Sequence, residues 1–148
     1  MQSGVYSREH TILYTYNYPR PAVTVDIALF RSWKTSSQIL LIERGSQPFQ
    51  GLYALPGGFL GPNETLLEAA WRELEEETGL NGIELFQIHT FSAPDRDPRA
   101  RTITTVFGTV LEPAARFKIK AGSDASSAAW FNLSKLPELA FDHREIIE

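Results

Sequence analysis

The sequence predicts an α/β layered domain, and three observations carry that prediction. Apolar, β-branched runs recur as strands, one long helix has an apolar stripe, and 148 residues suit a single domain around one core. Residues 1–20 read as an N-terminal extension, in which Tyr14, Tyr16 and Tyr18 alternate at the strand period and suggest an extra strand. Pro19 and Pro21 set the boundary to the domain proper, residues 21–148. Residues 23–30 and 38–42 read as buried strands, with the polar residues 31–37 turning between them. Residues 43–61 hold five glycines and two prolines and read as loop. Pro62 and Asn63 start a helix near Glu64, and Gly79 ends it as a left-handed cap. Residues 83–91 and 102–111 read as strands on either side of a charged, proline-punctuated loop at 92–101. The polar stretch 121–128 leads into a short strand around Trp130, and residues 142–148 open a terminal helix.

Composition excludes several classes. Hydrophobic residues make up 43% and charged residues 22%, ordinary usage for a globular protein. A net charge of −4 argues against a domain that coats nucleic acid by bulk electrostatics, though not against a small nucleotide substrate. With no cysteine there is no disulfide framework, no thiolate metal site and no cysteine nucleophile. The first 20 residues do not read as a secretory signal, and no stretch approaches the roughly 20 apolar residues of a membrane span. The expectation is a soluble, cytoplasmic protein that does not bind nucleic acid directly.

The charge is concentrated. Six glutamates and one arginine give residues 64–77 a net charge of −5, so the rest of the chain is +1. Leu66, Leu67, Ala70, Trp71 and Leu74 recur at helical spacing as a buried stripe. At about 100° per residue, Glu73, Glu76 and Glu77 share one sector beside it, whereas Glu68 and Glu75 face elsewhere, into solvent. Carboxylates so spaced repel one another unless a cation lies among them, and hard divalent ions such as Mg²⁺ prefer oxygen ligands. Read alone, such a helix is more often only a solvated face, with Arg72 an i,i+4 partner of Glu68 or Glu76.

The spacing decides between them. Gly58, Glu64, Arg72-Glu73-Leu74, Glu76-Glu77 and Gly79-Leu80 match nine defined positions, and the segment GFLGPNETLLEAAWRELEEETGL resembles the Nudix box. The resemblance implies the Nudix hydrolase superfamily, an α/β/α sandwich around a mixed β-sheet, with a loop–helix–loop that carries Mg²⁺ or Mn²⁺. It implies hydrolysis of a nucleoside diphosphate linked to another group. By the same resemblance Glu73, Glu76 and Glu77 are metal ligands, Glu64 and Arg72 support them, and Gly57 and Gly58 admit the loop backbone to the metal. Bound cations also suit the chemistry, since they lower the pKa of water and clamp phosphate oxygens.

Three further segments are similar to the ADP-ribose pyrophosphatase group: the entry at residues 18–26, Asp95-Arg-Asp-Pro-Arg-Ala-Arg101, and the tail at 141–147. They imply cleavage of ADP-ribose to AMP and ribose 5-phosphate. Arg96, Arg99 and Arg101 are the candidates to hold the diphosphate, since guanidinium binds phosphate in bidentate fashion. Equally, they can pair with Asp95 and Asp97 on a solvated loop. Asp124 is the candidate general base because similar proteins carry an acidic residue there, with Glu112 the runner-up and box glutamate Glu76 a further option; an Asp beside Gly and Ser is also a common turn residue. Phe49, Tyr53, Phe91 and Phe107 read as core or rim, and His10, His89 and His143 as isolated histidines, the last two structural. The group implies a homodimer, which the aromatic N-terminal run would suit as an interface strand. The alternatives are hydrolysis of other or damaged nucleotides, and an ADP-ribose-sensing Nudix domain of a transcription factor. Against the sensor stand the complete box and a chain that ends at Glu148 before any DNA-binding domain, unless it is a fragment. Glu77→Gln is expected to lower kcat by several orders of magnitude with the fold intact. Steady-state kinetics check this: a loss within about tenfold, roughly 1.4 kcal/mol of barrier, would remove Glu77 from the principal ligands.

Overall fold

The computed structural model describes residues 3–6, 12–112, 118–120 and 125–148. Strands β1 (Ser3–Tyr6) and β2 (Ile12–Thr15) form an antiparallel hairpin that is a sheet of its own. The expected aromatic strand therefore exists but ends at Thr15, before Tyr16 and Tyr18. Arg20 lies over the Tyr16 ring, with its guanidinium carbon 3.8 Å from the centroid.

The main sheet is mixed. β3 (Ala22–Trp33) is its central strand, and the run from Val25 to Leu29 is buried throughout, as suits a strand covered on both faces. It forms a hairpin with β4 (Ser36–Arg44), through which Phe30–Trp33 oppose Ser36–Ile39. The polar residues expected to turn are mostly strand: only Lys34 and Thr35 connect, and Arg31 Nε donates to Gln38 Oε1 across the pair at 2.9 Å. Two short strands, β5 (Tyr53–Ala54) and β6 (Gly57–Phe59), lie inside the expected loop, paired with β4 and with Thr24–Asp26 of β3.

Helix α1 (Leu66–Thr78) begins two residues after Glu64, where the proline and asparagine suggested a start. Thr65 is the N-cap, and its reciprocal bonds with Glu68 form a capping box, so Glu68 works at the helix end rather than only facing solvent. Gly79 caps the C-terminus at φ 72°, where a β-carbon would be strained. Ala69, Ala70 and Leu74 are buried, while Trp71, expected in the stripe, is 42% exposed and donates its indole N–H to Ile83 O at the edge.

β7 (Phe86–Phe91) is an edge strand, antiparallel to β8 (Thr102–Leu111), which runs parallel to β3 over ten residues. β9 (Ala125–Asn132) pairs with β4, and α2 (His143–Ile147) closes the chain with Asp142 at its N-cap. Alternation along β3 sorts the core. Val25, Ile27 and Leu29 pack under α1 with Leu40, Leu74 and Phe107, whereas Ala28, Ile39, Leu41, Leu55 and Val106 pack on the other side with Ile146 and Ile147 of α2. One helix on each face of a mixed sheet is the α/β/α sandwich the sequence predicts. Among the described residues, no helix is long and apolar enough to cross a membrane.

Candidate active site

Burial of Ala70 and Leu74 against β3 fixes the rotation of α1, and that rotation brings Glu73 and Glu77 to the glycine loop. Glu77 is 9% exposed and accepts the Gly57 N–H at 2.9 Å. Gly58 touches the Glu73 carboxylate so closely that a β-carbon there would collide with it; one at Gly57 would run into Val25 O on β3. The two glycines thus let the loop backbone lie directly on the carboxylates. Glu76 stands beside them on the solvent side, its side chain 57% exposed.

Arg72 organises the cluster. It donates to Glu64 through Nε at 2.9 Å and Nη2 at 2.6 Å, to Glu73 at 2.6 Å, to Glu76 at 3.2 Å and to Phe59 O at 3.1 Å. Its hydrogen bond holds the Glu64 carboxyl below the usual range, and Glu64 in turn accepts the Gly61 N–H at 2.6 Å. Burial pushes the Glu73 carboxyl up in spite of Arg72. Glu64, Arg72, Glu73 and Glu76 form one ion-pair network joining helix to loop.

The donor set fits a hard divalent cation in kind: only carboxylate oxygens, with Glu73 and Glu77 lining one cavity and a loop backbone that no side chain screens. Among the described residues no three acidic or histidine side chains already converge on a point, and Arg72 is the countercharge of Glu73 and Glu76.

The cavity has a volume of about 430 Å³. Glu73, Glu77, Asp26 and Asp97 line it together with Arg44, Arg96 and Arg99, and Phe59 and Phe141 supply aromatic surface. Phe141 holds φ 55°, a conformation rare for an aromatic residue, with its ring edge-on to Phe49 at 4.9 Å.

The three arginines of the loop before β8 separate sharply. Arg96 has a side chain 4% exposed and is held by Asp142 through two bonds of 2.8 and 2.7 Å, with Asp26 at 3.8 Å. It also lines the cavity, and withdrawing its fork toward a phosphate would strand buried carboxylates. Arg101 is exposed, bonds Ala93 O at 3.2 Å and is not among the described residues that line the cavity. Arg99 does line it, while also bonded to Asp97 at 3.0 and 2.7 Å, the alternative the sequence left open. Burial works against the Asp97 carboxylate, but the Arg99 hydrogen bonds outweigh it and hold its pKa down.

Asp124 and His10 lie outside the described residues. Glu112 is exposed beyond β8 and away from the cavity. Tyr53 and Phe91 pack in the α2-side core, Phe107 in the α1-side core and Phe49 against Ala140 and its neighbours, as core or rim. The residues missed from sequence are Arg44, Asp26 and Phe141, whereas His143, read as structural, is buried beside the cavity. A charged residue inside the apolar run of β3 was the available signal for Asp26.

His143 ties the tail to the site. Its Nδ1 accepts the Leu55 N–H at 2.9 Å, so its proton sits on Nε2, 3.5 Å from Asp26 Oδ1. Thr104 donates to the other Asp26 oxygen at 2.6 Å. Burial lowers the His143 pKa, outweighing Asp26 and Asp142, with Arg96 and Arg44 acting in the same direction as burial.

An α/β/α sandwich that presses a glutamate helix onto a glycine loop, beside a cavity that arginines also line, is the architecture of a Nudix diphosphatase. The chain belongs to the Nudix family: the family model for the NUDIX domain matches residues 20–148. It is 45% identical over 131 residues to an ADP-ribose pyrophosphatase of Methanocaldococcus jannaschii, covering 88% of this chain and 73% of that one. It is 32% identical to the ADPR responsive transcriptional repressor NtrR of Acinetobacter baylyi, over 97% of this chain but 59% of the repressor. The NUDIX domain of Shewanella oneidensis NrtR, solved with ADP ribose, superposes with a TM-score of 0.81 at 28% identity, covering 88% of this chain and 86% of that domain.

His143 generates a pH prediction. Its folded pKa lies below the unfolded value near 6.5, so on acidification the unfolded chain takes up the proton first and stability falls as pH drops below about 6.5. Urea unfolding between pH 7.5 and 5 is expected to show the wild type losing up to about 1.4 kcal/mol per pH unit more than His143→Gln. Parallel curves for the two proteins would contradict the neutral, buried imidazole.

Proposed function

We propose that this Nudix hydrolase cleaves ADP-ribose, adding water across the diphosphate to give AMP and ribose 5-phosphate. The observation that carries the reading is one cavity lined by both box glutamates and arginines, in a chain 45% identical to an ADP-ribose pyrophosphatase. Glu73, Glu76 and Glu77 would hold Mg²⁺, or Mn²⁺ in its place, and Arg72 and Glu64 would orient them. The cation supplies an acidified water and neutralises phosphate charge. The chain's own residues do the rest. Gly57 fixes Glu77 through its N–H, and Gly58 keeps the loop clear of side chains. Arg99 offers charge to the diphosphate, and Phe141 and Phe59 offer aromatic surface for the adenine. Asp124 is the proposed general base, with Glu76 the alternative.

A soluble homodimer in the cytoplasm belongs to the same reading. Support for a second copy comes from exposed apolar side chains, Phe86 and Ile88 on edge strand β7 and Val110 on β8, and from exposed Tyr14 in the hairpin and Tyr18 after it. The likeness to the ADP-ribose-responsive repressor supports a second reading, a sensor that binds ADP-ribose without turning it over.

A substrate panel separates them. The chain is incubated with Mg²⁺ and ADP-ribose, NADH, diadenosine polyphosphates or 8-oxo-dGTP, and products are resolved by chromatography. ADP-ribose is expected to give AMP with kcat/KM at least about tenfold above the others, 1.4 kcal/mol in transition-state binding. Preference for the triphosphate would overturn the ADP-ribose assignment alone, and no turnover of any member would overturn the enzyme in favour of the sensor.

A further inference from the structure

We propose that Arg44, at the end of β4, is the residue that grips the substrate's phosphate in the cavity that Glu73 and Glu77 also line. This deepens the reading of the cavity as a diphosphate site and rests on it.

Among the cavity's arginines, Arg44 is the one whose position leaves a phosphate-binding edge open. Arg96 turns its fork onto Asp142, and Arg99 turns Nε and one terminal nitrogen onto Asp97. Arg44 uses Nε alone, donating to Pro48 O at 2.8 Å, and among the described residues its two terminal nitrogens have no hydrogen-bond or ion-pair partner. The pair of Nη groups on one guanidinium matches two oxygens of one phosphate.

The side chain is also prepared for the task. Its backbone is pinned on both sides, Arg44 N donating to Leu52 O and Gly51 N to Arg44 O, each at 2.9 Å. The Pro48 bond fixes the plane of the guanidinium, and the Phe141 ring lies under it with the centroid 4.8 Å from the guanidinium carbon. Little rotamer freedom remains to be lost on binding.

Charge points the same way. Arg99 shares the Phe141 ring, 5.2 Å from its centroid, and the repulsion between the two cations adds to burial in lowering the Arg44 pKa. Glu77 and Asp97 relieve it only in part. Like charges held together in a half-buried cavity are stabilised by an anion between them, and a diphosphate is such an anion. A purely structural Arg44 would need its Pro48 bond and its Phe141 contact, but not the open Nη edge.

Isothermal titration of the full chain in EDTA tests this, with ADP-ribose and inorganic pyrophosphate as probes and thermal unfolding as control. The wild type is expected to bind both. Arg44→Met, which keeps much of the apolar stem, is expected to weaken both at least tenfold with Tm within 2 °C. Binding within threefold of wild type, or no pyrophosphate binding by the wild type itself, would overturn the proposal. If Arg44→Met lowers Tm further, Arg44→Lys carries the test, since it keeps the charge and loses the fork. Binding at least threefold weaker supports the grip, and unchanged binding overturns it. Hydrolysis is not read here, so loss of pyrophosphate binding in a chain that does not cleave ADP-ribose would leave Arg44 in place and remove only the substrate.

Discussion

Everything at the site depends on pressing glutamates from one helix against a loop backbone bare of side chains. The apolar face of α1 must meet Val25, Ile27 and Leu29 of β3, and the 3.6-residue period then sets Glu73 and Glu77 at the loop. Such crowding is costly for carboxylates unless a cation lies among them. Arg72 is the cation that the fold itself supplies. It bonds Glu64, Glu73 and Glu76 together, and a strong network on a helix already capped at both ends keeps the cluster rigid. Divalent-metal dependence, general in the family, is the chemical counterpart of the same crowding.

The tail supplies another part of the cavity lining, Phe141 and His143. Asp142 and His143 reach across to Arg96, Asp26 and Leu55, so the C-terminal helix, the central strand, the arginine loop and the run into the glycines are tied at one buried point. Removal of any one partner would leave another charged or polar group buried without compensation. The network fixes the fork of Arg96 on Asp142. It also places Phe141, one residue before the ion pair, in its strained conformation at the cavity wall. The cavity is therefore held between two ion-pair networks, one local to the helix and one that gathers distant segments.

Local signals were legible and long-range sorting was not. The helix, its Gly79 cap and β8 lie where periodicity and composition put them, because each contains its own signal within a few residues. The Thr65-x-x-Glu68 box was equally local and outweighed in the reading by the proline and asparagine before it. β5 and β6 are two and three residues long and have no period to read; their pairing with β4 and β3 makes them strands. Arg96, Arg99 and Arg101 are alike in sequence, and what separates them is an aspartate 46 residues further on. Arg44 and His143 lie outside the box and join it only through the sheet and the tail. Trp71 satisfied the stripe by spacing, yet an indole N–H that must find a carbonyl turned it to the edge.

The central claim is that the box glutamates form a divalent-cation site, and the most direct measurement is a titration of the full chain with Mn²⁺ followed by electron paramagnetic resonance of the free ion. The account predicts saturable binding by the wild type that weakens at least tenfold in Glu76→Gln, whose exposed position leaves packing undisturbed. Equal binding by the two proteins, or none by the wild type, would contradict it.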